Sequence, residues 1–133
     1  PDGTDWEIAI RDPFDTSKSI AMLSITGDAA IVTSGSYERY FEEDGQIYHH
    51  IMNPKTGRPA DSGLVSVTIV ADDGFLADGL STALFVMGLD DAISFWRASD
   101  DFEAVLIDSD GTIYVTEGLT DRITCELYQV INR

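Results

Sequence analysis

The hydrophobic pattern of this chain changes period once, just after Ala71, and that change constrains the fold more than any other feature. Before it, apolar residues recur in twos or in short runs, the mark of strands: residues 6–10, 19–26, 29–33, 37–41, 46–52 and 64–71 (LVSVTIVA). Asp44-Gly45 between aromatic-rich segments is a hairpin signal. The near-continuous apolar run 64–71 reads as a central strand. After it, residues 75–87 are rich in Ala, Leu and Met and stop at Gly88, as a helix does. Asp90 or Asp91 is placed to cap a second helix running to about residue 98. Strand patterns then return at 103–107 and 112–116 around Asp108-Ser109-Asp110-Gly111, and a final strand is expected within 123–131 after a short turn at 119–122. Strands, a helix pair and more strands predict an α+β fold, a mostly antiparallel sheet with the helix pair packed on it. Trp6, Phe85 and Trp96 are the aromatics expected to fill its core.

A chain of 133 residues suffices for one domain with a real core. Its 24 Asp plus Glu against 8 Lys plus Arg give a net charge of −16. Such a surface repels a phosphate backbone, so nucleic-acid binding is not expected. A domain this acidic that handles a phosphorylated ligand needs a cation to mask the repulsion; most of the acids are scattered and serve solubility or a high-salt environment. The single cysteine, Cys125, supports no internal disulfide or Cys-based zinc site and is expected as a small buried apolar side chain. No apolar run reaches the roughly 18 residues of a membrane helix. The first residue is Pro1 rather than Met, which suggests a processed or excised polypeptide.

Three segments could carry chemistry. In Tyr48-His49-His50-Ile51-Met52-Asn53-Pro54-Lys55-Thr56-Gly57-Arg58-Pro59 a strand enters a turn stiffened by two prolines. Free backbone N–H groups there, the Thr56 hydroxyl and two cations suit an anionic ligand. Adjacent strand positions point to opposite faces, so at most one of the two histidines joins a given site. In Ala77-Asp78-Gly79-Leu80-Ser81-Thr82, Asp78 and Thr82 stand four apart on one helix face and offer the hard oxygen donors that Mg²⁺ prefers. The plainer alternative is that Asp78 caps the helix and Thr82 packs. In Ile31-Val32-Thr33-Ser34-Gly35-Ser36-Tyr37 a strand ends in small residues that let a ligand approach the backbone; taken alone, an ordinary strand-end turn is the better explanation.

Taken in this order, the segments resemble the FAD:protein FMN transferase family, also described as ApbE thiamine-biosynthesis lipoproteins. The resemblance rests on Thr33-Ser34-Gly35-x-Tyr37, His50-Ile51-x-Asn53-Pro54-Lys55-Thr56-Gly57-x-Pro59, the strand Ser66-Val67-Thr68-Ile69-Val70, and Ala77-Asp78-Gly79-Leu80-Ser81-Thr82-Ala83-Leu84-Phe85-Val86-Met87-Gly88. It spans nearly the whole chain.

The resemblance implies an ApbE-like fold and an enzyme that, with Mg²⁺, moves FMN from FAD to a threonine or serine hydroxyl of a target flavoprotein, of the redox-pump subunit type, and releases AMP. It implies Asp78 and Thr82 as magnesium ligands, His50 beside the reacting phosphate, and Ser34, Gly35, Ile51, Asn53, Thr56 and Gly57 along the flavin nucleotide. It also implies export and lipid anchoring at the outer face of a bacterial cytoplasmic membrane. Family members are longer: residues 1–133 correspond to their carboxy-terminal part, an amino-terminal half that carries further flavin and magnesium contacts is the expected partner, and the expectation is that this chain is one piece of an enzyme and inactive alone. Ser36 stands where an acidic residue is common. The alternatives are a FAD-hydrolysing variant, a flavin-nucleotide-binding module without turnover, and a structural domain whose partners are set by its acidic surface.

Overall fold

The computed structural model describes residues 3–133. In chain order the elements are β1 (Trp6–Arg11), β2 (Ser19–Ile25), β3 (Ala30–Gly35), β4 (Tyr40–Glu43), β5 (Gln46–His49), β6 (Met52–Asn53), β7 (Arg58–Pro59), β8 (Leu64–Ala71), α1 (Gly74–Met87), α2 (Leu89–Arg97), β9 (Phe102–Asp108), β10 (Ile113–Thr116), β11 (Ile123–Cys125) and β12 (Gln129–Ile131). A five-stranded sheet of order β12-β10-β9-β8-β3 forms the middle layer. The two helices cover one face, and the three-stranded sheet β1-β2-β11 covers the other. The hairpins β4-β5 and β6-β7 stand outside these layers as separate two-stranded ladders.

Strand alternation explains the layering. Along β8, Val67, Ile69 and Ala71 join Ala77, Leu84 and Phe85 of α1 in one cluster, while Val70 joins Leu23 and Ile25 of β2 in the other. β9 divides the same way, with Phe102, Ala104 and Leu106 toward the helices and Val105 and Ile107 toward the small sheet. Both faces are therefore buried, which is why these central strands read as continuous apolar runs.

α1 starts where the Asp73 carboxylate accepts the Phe75 and Leu76 N–H groups and ends at Gly88, whose φ of 86° suits glycine. The Trp96 indole is buried and donates to the Phe102 carbonyl at 3.1 Å, and the Arg133 guanidinium lies 4.3 Å from its ring centroid.

The architecture is the α+β arrangement expected, mostly antiparallel with the helix pair on the sheet. β10 and β12 form a parallel pair within it. Phe85 and Trp96 lie in the core, but Trp6 is 68% exposed at the open end of β1, where Ile8 and Ile10 make the inward contacts. The stretch 37–41 is extended only from Tyr40, because residues 36–39 turn. The 123–131 segment divides into β11 and β12, which belong to different sheets. The α2 N-cap is Gly88 rather than Asp90 or Asp91, with no side-chain cap. Cys125 is half-buried in β11 and packs against the small-sheet core.

Candidate functional site

Strand β3 and helix α1 meet through hydroxyl groups. Ser34 Oγ lies 2.7 Å from Ser81 Oγ and 3.3 Å from Thr82 Oγ1, and Ser81 Oγ donates to the Asp78 carbonyl at 2.9 Å. The packing of α1 on β8 and β3 produces this corner: Ala77, Leu80 and Leu84 face the sheet, which turns Asp78 and Thr82 outward together. The helix cap is Asp73, so Asp78 is free of that role and stands one turn inside the helix. Its carboxylate makes no hydrogen bond or ion pair among the described residues.

A free carboxylate and an adjacent hydroxyl on one exposed face are the hard donors a small divalent cation takes. No group of three or more His, Cys, Asp or Glu that could hold a metal exists among the described residues. Two oxygen donors are compatible with an ion that draws its remaining ligands from water and phosphate, as Mg²⁺ does.

The turn after the histidines differs from its expected form. Its N–H groups are not free. The Asn53 Oδ1 accepts from Lys55 N at 2.9 Å, the Asn53 carbonyl accepts from Thr56 N and Gly57 N at 3.2 and 2.9 Å, and Thr56 Oγ1 accepts from Arg58 N at 3.3 Å. Pro54 has no N–H. Gly57 takes a φ of 66°, the left-handed geometry that closes the β6-β7 hairpin. The turn is a self-contained loop whose Lys55 and Arg58 side chains are exposed; it offers cations and shape but no backbone cradle for an anion.

The two histidines differ in environment. His49, at the end of β5, is half-buried. Its Nε2 meets the Ala60 carbonyl at 2.9 Å, its ring meets the Phe85 ring of α1 edge-on at 5.5 Å, and its Nδ1 is buried without a partner. A carbonyl only accepts, so Nε2 carries the proton. His50 lies just beyond β5 and is exposed, and its Nδ1 meets the Arg39 carbonyl at 3.3 Å. By the same reasoning its Nδ1 carries the proton in the neutral ring, which leaves a lone pair on Nε2.

Ile51 is buried in the cluster that includes Ala77, Leu80 and Phe85, and its carbonyl accepts from Ala60 N at 2.8 Å. It anchors the histidine segment in the helix-side core. Among the described residues, no hydrogen bond joins His50 to the Ser34–Thr82 corner. A cleft of about 850 Å³ opens beneath β5, lined among others by Ser36, Tyr48, His49, Arg58 and Val65; neither His50 nor Asp78 lines it.

Gly35 is buried at the end of β3, where an added Cβ would strike the Tyr37 ring. Burial pushes the Tyr37 hydroxyl above the usual phenol range. That hydroxyl and the nearby Ser66 Oγ are both buried without a completed hydrogen bond.

The profile of the ApbE family matches residues 1–106, well over half of the chain. This chain belongs to the ApbE family. It is similar to the FAD:protein FMN transferase of Treponema pallidum, 40% identical over 119 residues that make up 90% of this chain and 33% of that protein. It is also similar to the FAD:protein FMN transferase of Vibrio cholerae, 48% identical over 87 residues. Among solved structures it resembles the ApbE protein of Thermotoga maritima with a TM-score of 0.77 and 39% identity, over 86% of this chain and 37% of that one. The flavin transferase ApbE from Vibrio cholerae gives 0.71 and 36%, over 91% and 38%. The chain thus spans about a third of the length of the T. pallidum relative.

Within this ApbE-family fold, Ser34 and Thr82 come together, and Ile51 reaches the helix that carries Asp78. Asn53, Thr56 and Gly57 bond chiefly to one another. Sequence reasoning missed two participants. Ser81 lies inside the Asp78–Thr82 segment and links it to Ser34, and its signal is its i+3 spacing from Asp78. His49 joins β5 to Ala60 and α1, and its signal is the face of the strand opposite to its neighbour's.

Proposed function

We propose that this ApbE-family chain supplies the magnesium-binding and proton-accepting part of an FAD:protein FMN transferase, which moves FMN from FAD to a serine or threonine hydroxyl of an acceptor flavoprotein and releases AMP. The reading rests above all on the unpartnered Asp78 carboxylate and the Thr82 hydroxyl, side by side on the exposed face of α1. Mg²⁺ held there would neutralise charge on the pyrophosphate, which phosphoryl-group transfer to an oxygen requires.

The remaining roles belong to the protein. Asp78 and Thr82 hold the ion. Ile51 fixes the His50 segment against α1. Gly35, with no Cβ, lets the Tyr37 ring lie close, and this end of β3 together with Asn53, Thr56 and Gly57 forms the wall along the flavin nucleotide. Because the turn's N–H groups are engaged internally, the turn orients by shape and by the charges of Lys55 and Arg58.

His50 Nε2 takes the proton of the acceptor hydroxyl. The hydroxyl oxygen then bonds to the FMN phosphorus, the bond from that phosphorus to the bridging oxygen breaks, and AMP leaves with the electron pair. The relatives are about three times longer, and the reading assigns further flavin contacts to the additional polypeptide they carry.

The test is to mix the protein, joined to the additional polypeptide its relatives carry, with FAD, Mg²⁺ and an acceptor flavoprotein. The proposal expects AMP in solution and an FMN-sized mass gain on the acceptor, both lost when Mg²⁺ is chelated. AMP without a mass gain would identify a FAD pyrophosphatase instead. Retention of FAD with neither product would identify a binding module.

A further inference from the structure

The hydroxyl corner between β3 and α1 carries more information than its distances, because each hydroxyl owns a single proton. Ser81 is fully buried, and its proton is committed to the Asp78 carbonyl at 2.9 Å, an atom that only accepts. The 2.7 Å contact between Ser34 and Ser81 must therefore be donated by Ser34. That consumes Ser34's proton. The remaining contact, 3.3 Å between Ser34 Oγ and Thr82 Oγ1, can be donated only by Thr82. Protons thus run in one direction, from Thr82 to Ser34 to Ser81 to the backbone of Asp78. With its proton drawn toward Ser34, Thr82 turns its oxygen lone pairs away from the sheet, to the exposed side that it shares with Asp78.

We propose that Ser34 and Ser81 are positioning residues for the cation site: by accepting along this chain they hold the Thr82 hydroxyl with its lone pairs facing the metal. The proposal rests on the reading that Asp78 and Thr82 bind that ion. It gives Ser34 a role beneath the metal rather than along the flavin, since its side chain lies on the same face of β3 as Ala30 and Val32, which pack on the helix-side core. The fold supports such a role. Ser81 is 0% exposed on a fourteen-residue helix and Ser34 is on a paired strand, so both oxygens are fixed by packing rather than by a loop.

The arrangement also predicts how each change acts. Ser81→Ala leaves Ser34's proton without its acceptor, free to turn toward Thr82 Oγ1 and occupy a lone pair the ion needs. Ser34→Ala removes the acceptor of Thr82's proton and frees the Thr82 side chain to turn about χ1. Ser34→Thr keeps the oxygen and suits a strand.

The experiment is calorimetric titration of the protein with Mg²⁺ alone, together with three-bond couplings of the Thr82 methyl that report its χ1 in the metal-free state. Ser34→Ala and Ser81→Ala should each weaken Mg²⁺ binding about fivefold or more, equivalent to about 1 kcal/mol, with Ser34→Thr within about twofold of the parent. Mg²⁺ affinities of Ser34→Ala and Ser81→Ala equal to the parent's would overturn the proposal.

Asp78→Ala and Thr82→Val separate this outcome from failure of the metal assignment. If the parent takes up no Mg²⁺, or Asp78→Ala binds it equally well, the metal assignment fails. The couplings then decide the hydroxyl chain alone. A single Thr82 rotamer in the parent that becomes averaged in Ser34→Ala and is restored in Ser34→Thr supports the chain; identical couplings in all three refute it.

Discussion

The two limbs of the candidate site are built on opposite plans. The proposed metal limb, Ser34, Asp78, Ser81 and Thr82, sits on a half-buried strand and on a helix whose inner face is buried, and its hydroxyls bond from one element to the other. The proposed proton-accepting limb, His50 and the turn through Gly57, is mostly exposed apart from Ile51 and bonds mostly within itself. In the proposed reading, the groups that would hold a geometry against a charged ligand are anchored on packed elements, and the group that would meet a macromolecular acceptor stays at the surface beside the buried Ile51. Changes in the first limb should therefore alter ligand affinity, and changes in the second should alter rate with little effect on folding. The two adjacent histidines repeat the contrast within a single residue step.

The sharpest way to break that contrast is to exchange the fates of the histidines. His50→Ala should slow AMP release by about 10²-fold or more and leave stability within about 0.5 kcal/mol, as chemical denaturation would show. His49→Ala should do the reverse, because it removes the donor to the Ala60 carbonyl and the ring against Phe85; a loss of about 1–3 kcal/mol is expected. If His50 proved the structural residue and His49 the kinetic one, the assignment of limbs would be inverted.

Gly35→Ala ranks next. The methyl would strike the Tyr37 ring, so about 1–3 kcal/mol of destabilisation is expected in a urea melt. An unchanged midpoint would show that the end of β3 is not held by that ring. Asn53→Ala has the smallest effect, since the Lys55 N–H that it leaves is exposed and can bond to water. A loss of about 1 kcal/mol or less, with a local change in amide exchange at Lys55, would confirm that the turn holds itself together. A global collapse would show that it supports the core.

Much of this was legible in the residues. The change of period after Ala71 located the sheet and α1, and the i, i+4 spacing of Asp78 and Thr82 put them on one face. What stayed hidden depended on contacts distant in sequence or on competition among neighbours. Ser34 and Ser81 are 47 positions apart, and no local pattern pairs them. Asp73 and Asp78 were both chemically able to cap α1, and only the backbone at Asp73, extended at ψ 117°, shows which one does. The N–H groups of the turn looked free because the sequence does not reveal that the Asn53 side chain and carbonyl together accept three of them. Trp6 has the apolar character of a core residue but stands exposed at the first position of β1.

The claim on which the rest depends is that the exposed face of α1 binds a divalent cation through Asp78. Thermal melting of the protein with and without excess Mg²⁺ tests it directly, because a ligand of the native state raises stability, by about 2.7 kcal/mol at one hundred times its Kd. The account predicts a rise in Tm for the parent and none for Asp78→Ala, with equal Tm values for the two in the absence of metal. A parent that does not respond, or an Asp78→Ala variant that gains as much as the parent, would contradict it.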